Sequence, residues 1–104
     1  MIVEERTYQI VAGRLPEYLE VYERKGLSVQ RDVLGQLLGY FTTEVGGLSS
    51  LVHLWGYDSF DERSRRRALL QTEQRWQSYL RECTPMIQKM QNRILVPTSF
   101  SPIS

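Results

Sequence analysis

The segment from residue 52 to residue 67 holds the side chains of this chain that are best suited to chemistry. His53, Trp55 and Tyr57 alternate along a predicted strand, and side chains two positions apart on a strand share a face. His53 is the only histidine, and its ordinary pKa near neutrality suits proton transfer or ligand orientation. Such a face fits a sheltered cavity or a subunit interface. Two interpretations of His53 stay open: an acid/base group, or a hydrogen-bonded interface residue.

A second polar group lies on the first predicted strand. Of its two faces we assign the one with Glu4, Arg6 and Tyr8 to the side that carries His53, because a buried charged pair needs polar partners. These three residues are candidates for orienting a substrate. The alternative is an ion pair that a nearby hydroxyl satisfies.

The aromatic and basic residues around them also have two interpretations. Trp55 and Tyr57 form either a wall for a flat organic ligand or part of a dimer core. Arg63 follows in the next predicted helix, where its side chain can lean back to brace Tyr57 or a carboxylate. The successive arginines at 65–67 point in different directions on a helix, so they do not together form a phosphate site.

Hydrophobic periodicity and turn signals predict the elements that position these residues. The chain begins with a strand over 2–11 and a helix that ends at Gly35. Two strands over 37–45 and 49–57 follow as a hairpin, and Ser59 caps a helix that runs to about residue 70. A helical face that Pro85 interrupts and a last strand over 93–100 complete the pattern. The last helical face comprises Trp76, Tyr79, Leu80, Cys83, Ile87 and Met90.

The predicted order βαββαβ is typical of a ferredoxin-like α+β fold, with the first and third strands central in an antiparallel sheet. Two helices cover one face of such a sheet and leave the other free. An aromatic free face would be a large exposed apolar patch. We therefore predict that two sheets pair in an isologous homodimer, a dimeric α/β barrel. The rings around His53 are predicted to face a cavity between the sheet and the partner.

Composition narrows the class of protein. A chain of 104 residues fits one domain, and a net charge of +1 gives no strong field for nucleic acid or an anionic membrane. One cysteine allows no intrachain disulfide, and no apolar run approaches the ~20 residues of a membrane span. The N-terminus does not have the pattern of a signal peptide. We expect a cytoplasmic protein.

Several chemistries are excluded by residue type. One histidine and one cysteine do not build a zinc site from those types alone. No glycine-rich phosphate loop and no G-x-S-x-G elbow is present. Cys83 lies on an apolar helical stripe and is predicted to be a core residue. No metal and no cofactor is expected.

Three segments resemble the NIPSNAP family, in family order. They are EERTYQIVAGRLPEYLEVYE at 4–23, LLGYFTTEVGGLSSLVHLWGYDSFDERSRRR at 37–67 and RILVPTSFSP at 93–102. The resemblance covers nearly the whole chain and implies a single NIPSNAP-like domain over 1–104 of the dimeric α/β-barrel superfamily. The family has no agreed reaction. Its superfamily includes cofactor-independent monooxygenases, small isomerases and haem enzymes, which is a likeness of fold only.

The sequence is compatible with two functions of different classes, a ligand-binding protein and an interaction module. The first is a barrel that binds an apolar, aromatic or quinone-like ligand, with His53 as acid/base and Glu4, Arg6 and Tyr8 orienting the ligand. Whether it is an enzyme stays open. The second is a non-enzymatic interaction module whose aromatic residues serve dimer stability. A catalytic His53 predicts a rate that titrates between about pH 5 and pH 8.

Overall fold

Four strands form one antiparallel sheet in the computed structural model, which covers residues 1–104. They are β1 (Ile2–Ile10), β2 (Gln36–Thr42), β3 (Ser50–Tyr57) and β4 (Ile87–Leu95). The order across the sheet is β2-β3-β1-β4, and every neighbouring pair is antiparallel. This confirms the ferredoxin-like α+β fold with β1 and β3 in the centre.

The first helical segment, between β1 and β2, is interrupted by a π-helical turn. It consists of α1 (Leu15–Val21), the π turn (Tyr22–Gly26) and α2 (Leu27–Leu34). Gly26 lies where this segment packs against the helix that carries Tyr79: a Cβ there would lie 3.0 Å from the Tyr79 ring. The missing side chain lets this turn pack closely against α4. Tyr22 lies four residues after Tyr18, and both are buried.

The second helical segment, between β3 and β4, comprises α3 (Phe60–Thr72) and α4 (Gln74–Cys83). The predicted cap is confirmed, because Ser59 Oγ accepts a hydrogen bond from the backbone N–H of Glu62 at 3.1 Å. The predicted extension of the last helical face to Ile87 and Met90 is wrong. The helix ends two residues before Pro85, and β4 begins at Ile87, six residues earlier than predicted.

Pro85 explains this correction. Proline lacks the backbone N–H, and its ring clashes with the preceding turn of an α-helix, so the α-helix does not continue through it. The chain passes through a single 3₁₀ turn (Thr84–Met86) and enters β4 at once. β4 is an edge strand whose side chains are mostly exposed, so its polar composition carries little of the alternation that predicts a strand. Pro97, predicted to lie within this strand, follows it.

The helices cover the face of the sheet that carries the rings. Trp55, Tyr57 and Tyr8 belong to one core cluster with Tyr18 and Tyr79 of the helices. The predicted orientation, with this face turned toward a second subunit, is wrong. The aromatic residues of the helices and of β3 pack against each other in this core, whereas the aliphatic Val52 and Leu54 of the strand stay partly exposed. The opposite face carries Phe41, Val52 and Leu54 together with Glu5 and Thr7, and all five retain solvent exposure.

Candidate functional site

A cavity of about 240 Å³ lies between the helices and the sheet. Its walls are aromatic: five tyrosines, Trp76 and His53 line it from the helices and from the sheet. Cys83 and Ile87 add apolar surface, and the rim is polar and exposed where the 3₁₀ turn enters β4. The tyrosines are Tyr8, Tyr18, Tyr22, Tyr40 and Tyr79. The ligand cavity predicted between two subunits therefore corresponds, in this structure, to a cavity within one protomer.

His53 occupies the floor of this cavity and is only 1% exposed. Its ring stacks on Tyr40, with centroids 4.6 Å apart and an interplanar angle of 22°. Tyr8 meets it edge-on at 5.0 Å. Both contacts are compatible with the strand register, because Tyr40 is the cross-strand partner of His53 on β2, and Tyr8 lies two residues along β1 from Arg6, its partner on the other side. The imidazole is thus held from both neighbouring strands.

A hydrogen bond fixes the protonation of His53. The indole Nε1 of Trp55 donates to His53 Nδ1 at 2.7 Å. An indole N–H only donates, so Nδ1 carries no proton and the neutral ring has its hydrogen on Nε2. Burial lowers the pKa of His53 to about 3, and the positive charge of Arg6 acts in the same direction. His53 is therefore a neutral donor between pH 5 and pH 8, and the titration predicted for a catalytic histidine is not expected there.

Two polar atoms of this site lack partners. Nε2 of His53 and the hydroxyl of Tyr40 are both buried without a hydrogen bond. The other cavity hydroxyls are paired: Tyr79 donates to Tyr18 at 3.0 Å, and Tyr22 donates to Gln30 at 2.6 Å. Buried polar groups are normally satisfied. Two unpaired donors side by side on a cavity wall suit an acceptor atom of a ligand.

Glu4 is the centre of a separate network at the other end of the same face. It is 0% exposed, and its carboxylate accepts from Arg63 at 3.0 and 2.8 Å, from Arg6 at 3.0 Å and from Asn92 at 2.9 Å. Burial alone would raise the pKa of Glu4. The hydrogen bonds from Arg63 and Asn92 and the charges of the two arginines outweigh burial and lower its pKa to about 2.

The predicted site residues divide between these two places. His53 and Tyr8 line the cavity, whereas Trp55 lies behind His53. Arg6 joins the two places, because its Nε donates to the Tyr8 hydroxyl at 2.9 Å and its Nη1 donates to Glu4. Arg63 braces the carboxylate, one of the two contacts predicted for it.

Tyr57, the remaining member of the predicted set, does not line the cavity, and its buried hydroxyl has no partner. Contact of a ligand with Glu4, Arg6, Trp55, Tyr57 or Arg63 stays a prediction. The bonds that Glu4, Arg6 and Arg63 make within the chain favour a structural role.

Sequence reasoning missed the half of the cavity that the helices supply. Trp76 and Tyr79 lie on the last predicted helical face, and Tyr18 and Tyr22 are four residues apart in the first predicted helix, so their aromatic character was the available signal. Tyr40 was also missed, since its place opposite His53 depends on a register shift between Leu37 and Gly39 in the pairing of β2 with β3. A side chain's cross-strand partner is set by such irregularities, which the composition of the strand does not reveal.

Three further features concern metal ligands, membrane-spanning helices and the cysteine. No group of three or more His, Cys, Asp or Glu side chains is arranged to hold a metal ion. No helix has the length and apolar character needed to cross a membrane. Cys83 is buried, as predicted, and burial raises the pKa of its thiol.

Similarity to known proteins fits this architecture. The NIPSNAP family model matches residues 3–102. A crystal structure of a NIPSNAP family protein from Agrobacterium tumefaciens is 46% identical, with a TM-score of 0.97, and the match covers 99% of this chain and 98% of that one. A putative antibiotic biosynthesis monooxygenase from Nitrosomonas europaea has a TM-score of 0.68 over 93% of this chain and 98% of its own. At 7% identity that likeness concerns the fold alone.

A curated relative gives the same family and a limit on what can be transferred. Protein NipSnap homolog 1 from Danio rerio is 30% identical over 102 residues, which are 98% of this chain and 36% of that protein. The chain thus spans little more than a third of this relative's length. Because the family model and these relatives match nearly the whole chain, the protein belongs to the NIPSNAP family.

Proposed function

We propose that this protein binds a small aromatic molecule in the cavity between its helices and its sheet, with an acceptor oxygen of the ligand at His53 Nε2. The unpartnered Nε2–H of a histidine that is 1% exposed carries the proposal. A buried donor without a partner costs about 1–3 kcal/mol, and an acceptor on a bound ligand removes that cost. The aromatic walls supply stacking and apolar contact for the rest of the molecule.

The geometry favours His53 as a donor over His53 as a base. The lone pair of Nδ1 is occupied by the Trp55 indole, and Nε2 carries the proton. A neutral imidazole can polarise a carbonyl or stabilise an oxyanion without changing its protonation. If the protein is an enzyme, its reaction is one that such a donor assists. Binding without turnover is equally compatible with the cavity.

Acetophenone is a suitable first probe, because it has one ring and one carbonyl oxygen. We expect saturable binding at one site per protomer, measured by calorimetry, and weaker binding of ethylbenzene, which has no acceptor. His53→Asn keeps an acceptor near the Trp55 indole but removes the Nε2 donor, so it should reduce the preference for acetophenone over ethylbenzene.

A cavity-filling pair of variants tests the location of binding. Leu80 lines the cavity, whereas Leu19 is a partly buried helix residue outside its walls. Leu80→Trp should abolish acetophenone binding, and Leu19→Trp should leave it. Equal binding by the two variants would place the ligand elsewhere and remove the proposal.

The uncovered face of the sheet supports the proposal of a homodimer. Phe41 is 55% exposed there, beside the partly exposed Val52 and Leu54. Native mass spectrometry of gently purified protein reports the subunit count and any retained small molecule together. Phe41→Asp should dissociate the dimer, whereas Phe60→Asp, at a phenylalanine that is 57% exposed on α3, should not. A monomeric wild type would contradict the proposal.

A cytoplasmic location is also a proposal. The single cysteine of this chain is free and buried, which suits a reducing compartment. Cell fractionation with an antibody against the chain would test the location, and recovery in a membrane or organelle fraction would overturn it. The competing function, a protein-interaction module, would gain support if no aromatic probe bound to a correctly folded sample.

A further inference from the structure

The opening of the cavity lies along one stretch of the chain, residues 84–90, which we call the mouth. Every exposed residue that lines the cavity belongs to this stretch; they are Thr84, Gln88, Lys89 and Met90. The register of β4 against β1 shifts here, between Gln9 and Ile10, which leaves Gln88 as an extra residue. Such bulges are common at sheet edges and beside active sites. The route from solvent to the cavity therefore passes the mouth.

The strand register places the side chain of Met90 on the cavity side of β4. Met90 pairs with Tyr8, which lines the cavity. Asn92 lies two residues further and hence on the same face, and it donates to the buried Glu4 at 2.9 Å. Lys89, the residue before Met90, is directed to the opposite face of the sheet. Met90 is thus the side chain of β4 that faces the mouth.

Met90 is an exception to the polarity of its strand. Exposed edge strands usually carry polar or charged side chains, yet Met90 is 52% exposed. Two other apolar residues that line the cavity, Leu80 and Ile87, are also only partly buried. The Thr84 hydroxyl beside them is occupied, because it donates to the backbone carbonyl of Leu80 at 2.6 Å. Apolar surface therefore remains unburied around the opening.

We infer that the ligand is an aryl carbonyl compound with an alkyl chain, whose ring fills the cavity and whose chain packs on Met90 at the mouth. This inference rests on the proposed function, because it names the ligand class of that same cavity. An engineered cavity of about 150 Å³ is large enough for benzene, so 240 Å³ holds one ring with short substituents. A longer chain then passes through the opening. Methionine suits this contact, since its flexible thioether side chain adapts to different apolar shapes.

A ligand with a polar outer end is the strongest competitor. Gln88 is exposed at the mouth, and its amide could bind a hydroxyl group there. An exposed amide exchanges hydrogen bonds with water for hydrogen bonds with the ligand, which contributes little net free energy. The exposed surface of Met90 gains only from an apolar group that removes it from water. We therefore expect an alkyl chain to be preferred to a polar one.

Four probes with the same acetyl group separate these possibilities. They are acetophenone, para-ethylacetophenone, para-butylacetophenone and para-(hydroxypropyl)acetophenone, in which a terminal hydroxyl replaces the last methyl group of the butyl chain. Calorimetric titration should show affinity rising from acetophenone to the butyl compound by roughly twofold per added methylene. A fully buried methylene is worth about fourfold, and the mouth is half open. The hydroxypropyl compound should bind more weakly than the butyl compound.

The strand offers a matched control for Met90. Leu95 is also exposed on β4, but it lies an odd number of residues from Met90 and so on the opposite face. Met90→Gln should reduce the ratio of butyl-probe affinity to acetophenone affinity to roughly half or less of its wild-type value. Leu95→Gln should keep the wild-type ratio, and so should the conservative Met90→Leu. Thermal melting checks that each variant is folded.

The outcomes distinguish this inference from the proposed function. Equal affinity for acetophenone and the butyl probe, tighter binding of the hydroxypropyl probe, or a ratio that survives Met90→Gln would overturn the inference, while binding of acetophenone would leave the proposed function standing. A lower subunit count of Met90→Gln in native mass spectrometry would also overturn it, since a second copy of the chain would then cover Met90. If none of the four probes binds, both fail.

Discussion

The two ends of the helix-covered face differ in how their buried polar groups are treated. At one end Glu4 accepts four hydrogen bonds from three side chains. At the other end, beside the cavity, His53 Nε2 and the Tyr40 hydroxyl accept and donate nothing. Glu4 on β1 and His53 on the neighbouring β3 are 0% and 1% exposed, so burial does not distinguish the two ends. The number of partners does.

We interpret this difference as one between a structural polar cluster and the proposed binding site. A buried charge with its full set of partners adds specificity to the core and has no bonds left for a ligand. A buried donor that faces a cavity without a partner keeps its bonding capacity. Glu4 and His53 were placed together as one polar site by sequence reasoning. The structure keeps them on one face, but the carboxylate of Glu4 has all its partners within the chain and Nε2 of His53 has none.

Breaking the saturated end should have the largest effect on stability. Glu4→Gln removes the negative charge and leaves Arg6 and Arg63 without their counter-ion. Removing one partner of a buried ion pair costs about 3–5 kcal/mol, and urea unfolding should show a loss of that order. Glu5→Gln is the control, since Glu5 pairs with the exposed Arg93 at 2.7 Å on the uncovered face and such pairs contribute about 1 kcal/mol or less. Equal losses would mean that the network is not a stabilising element.

Acid sensitivity should come from both ends, in different pH ranges. His53 has a folded pKa of about 3 against an ordinary 6.5. Below pH 6.5 the unfolded chain therefore binds a proton that the folded chain does not, and the free energy of unfolding falls as the pH falls. Glu4, with a pKa of about 2 against 4.5, adds its loss only below pH 4.5. Between these values the slope should be about 1.4 kcal/mol per pH unit.

A variant assigns that slope to the imidazole. His53→Asn has no group that titrates between pH 6.5 and pH 4.5 at this position, so its free energy of unfolding should be nearly constant there. Chemical denaturation at several pH values gives the comparison directly. A wild type that is equally stable at both limits would show that His53 takes up its proton in the folded state.

The sequence was sufficient to predict the sheet and to place the candidate residues on one of its faces. Alternation along β1 and β3 depends on backbone geometry alone, so Glu4, Arg6, Tyr8, His53 and Trp55 were correctly placed together. It was not sufficient for the direction in which that face points. Both sets of β3 side chains are apolar enough to be buried, and the choice depends on the shape and partners that the helices present. The bond from Arg63 of α3 to Glu4 and the aromatic stripes of the helices decide it, and these contacts are far apart in the sequence.

The smallest effect should come from two hydroxyls whose rings stack on each other. The rings of Tyr22 and Tyr40 have centroids 4.8 Å apart, but only the Tyr22 hydroxyl has a partner, Gln30. Tyr22→Phe leaves a buried amide oxygen unpaired and should cost about 1–2 kcal/mol. Tyr40→Phe removes a buried hydroxyl without a partner, so stability should be unchanged or higher by up to about 1 kcal/mol. In acetophenone binding we expect Tyr40→Phe to be the weaker variant, since only the Tyr40 hydroxyl is free to donate. A loss of stability in Tyr40→Phe as large as that in Tyr22→Phe would show that the Tyr40 hydroxyl already has a partner within the chain, and the contrast between the two ends would then rest on His53 alone.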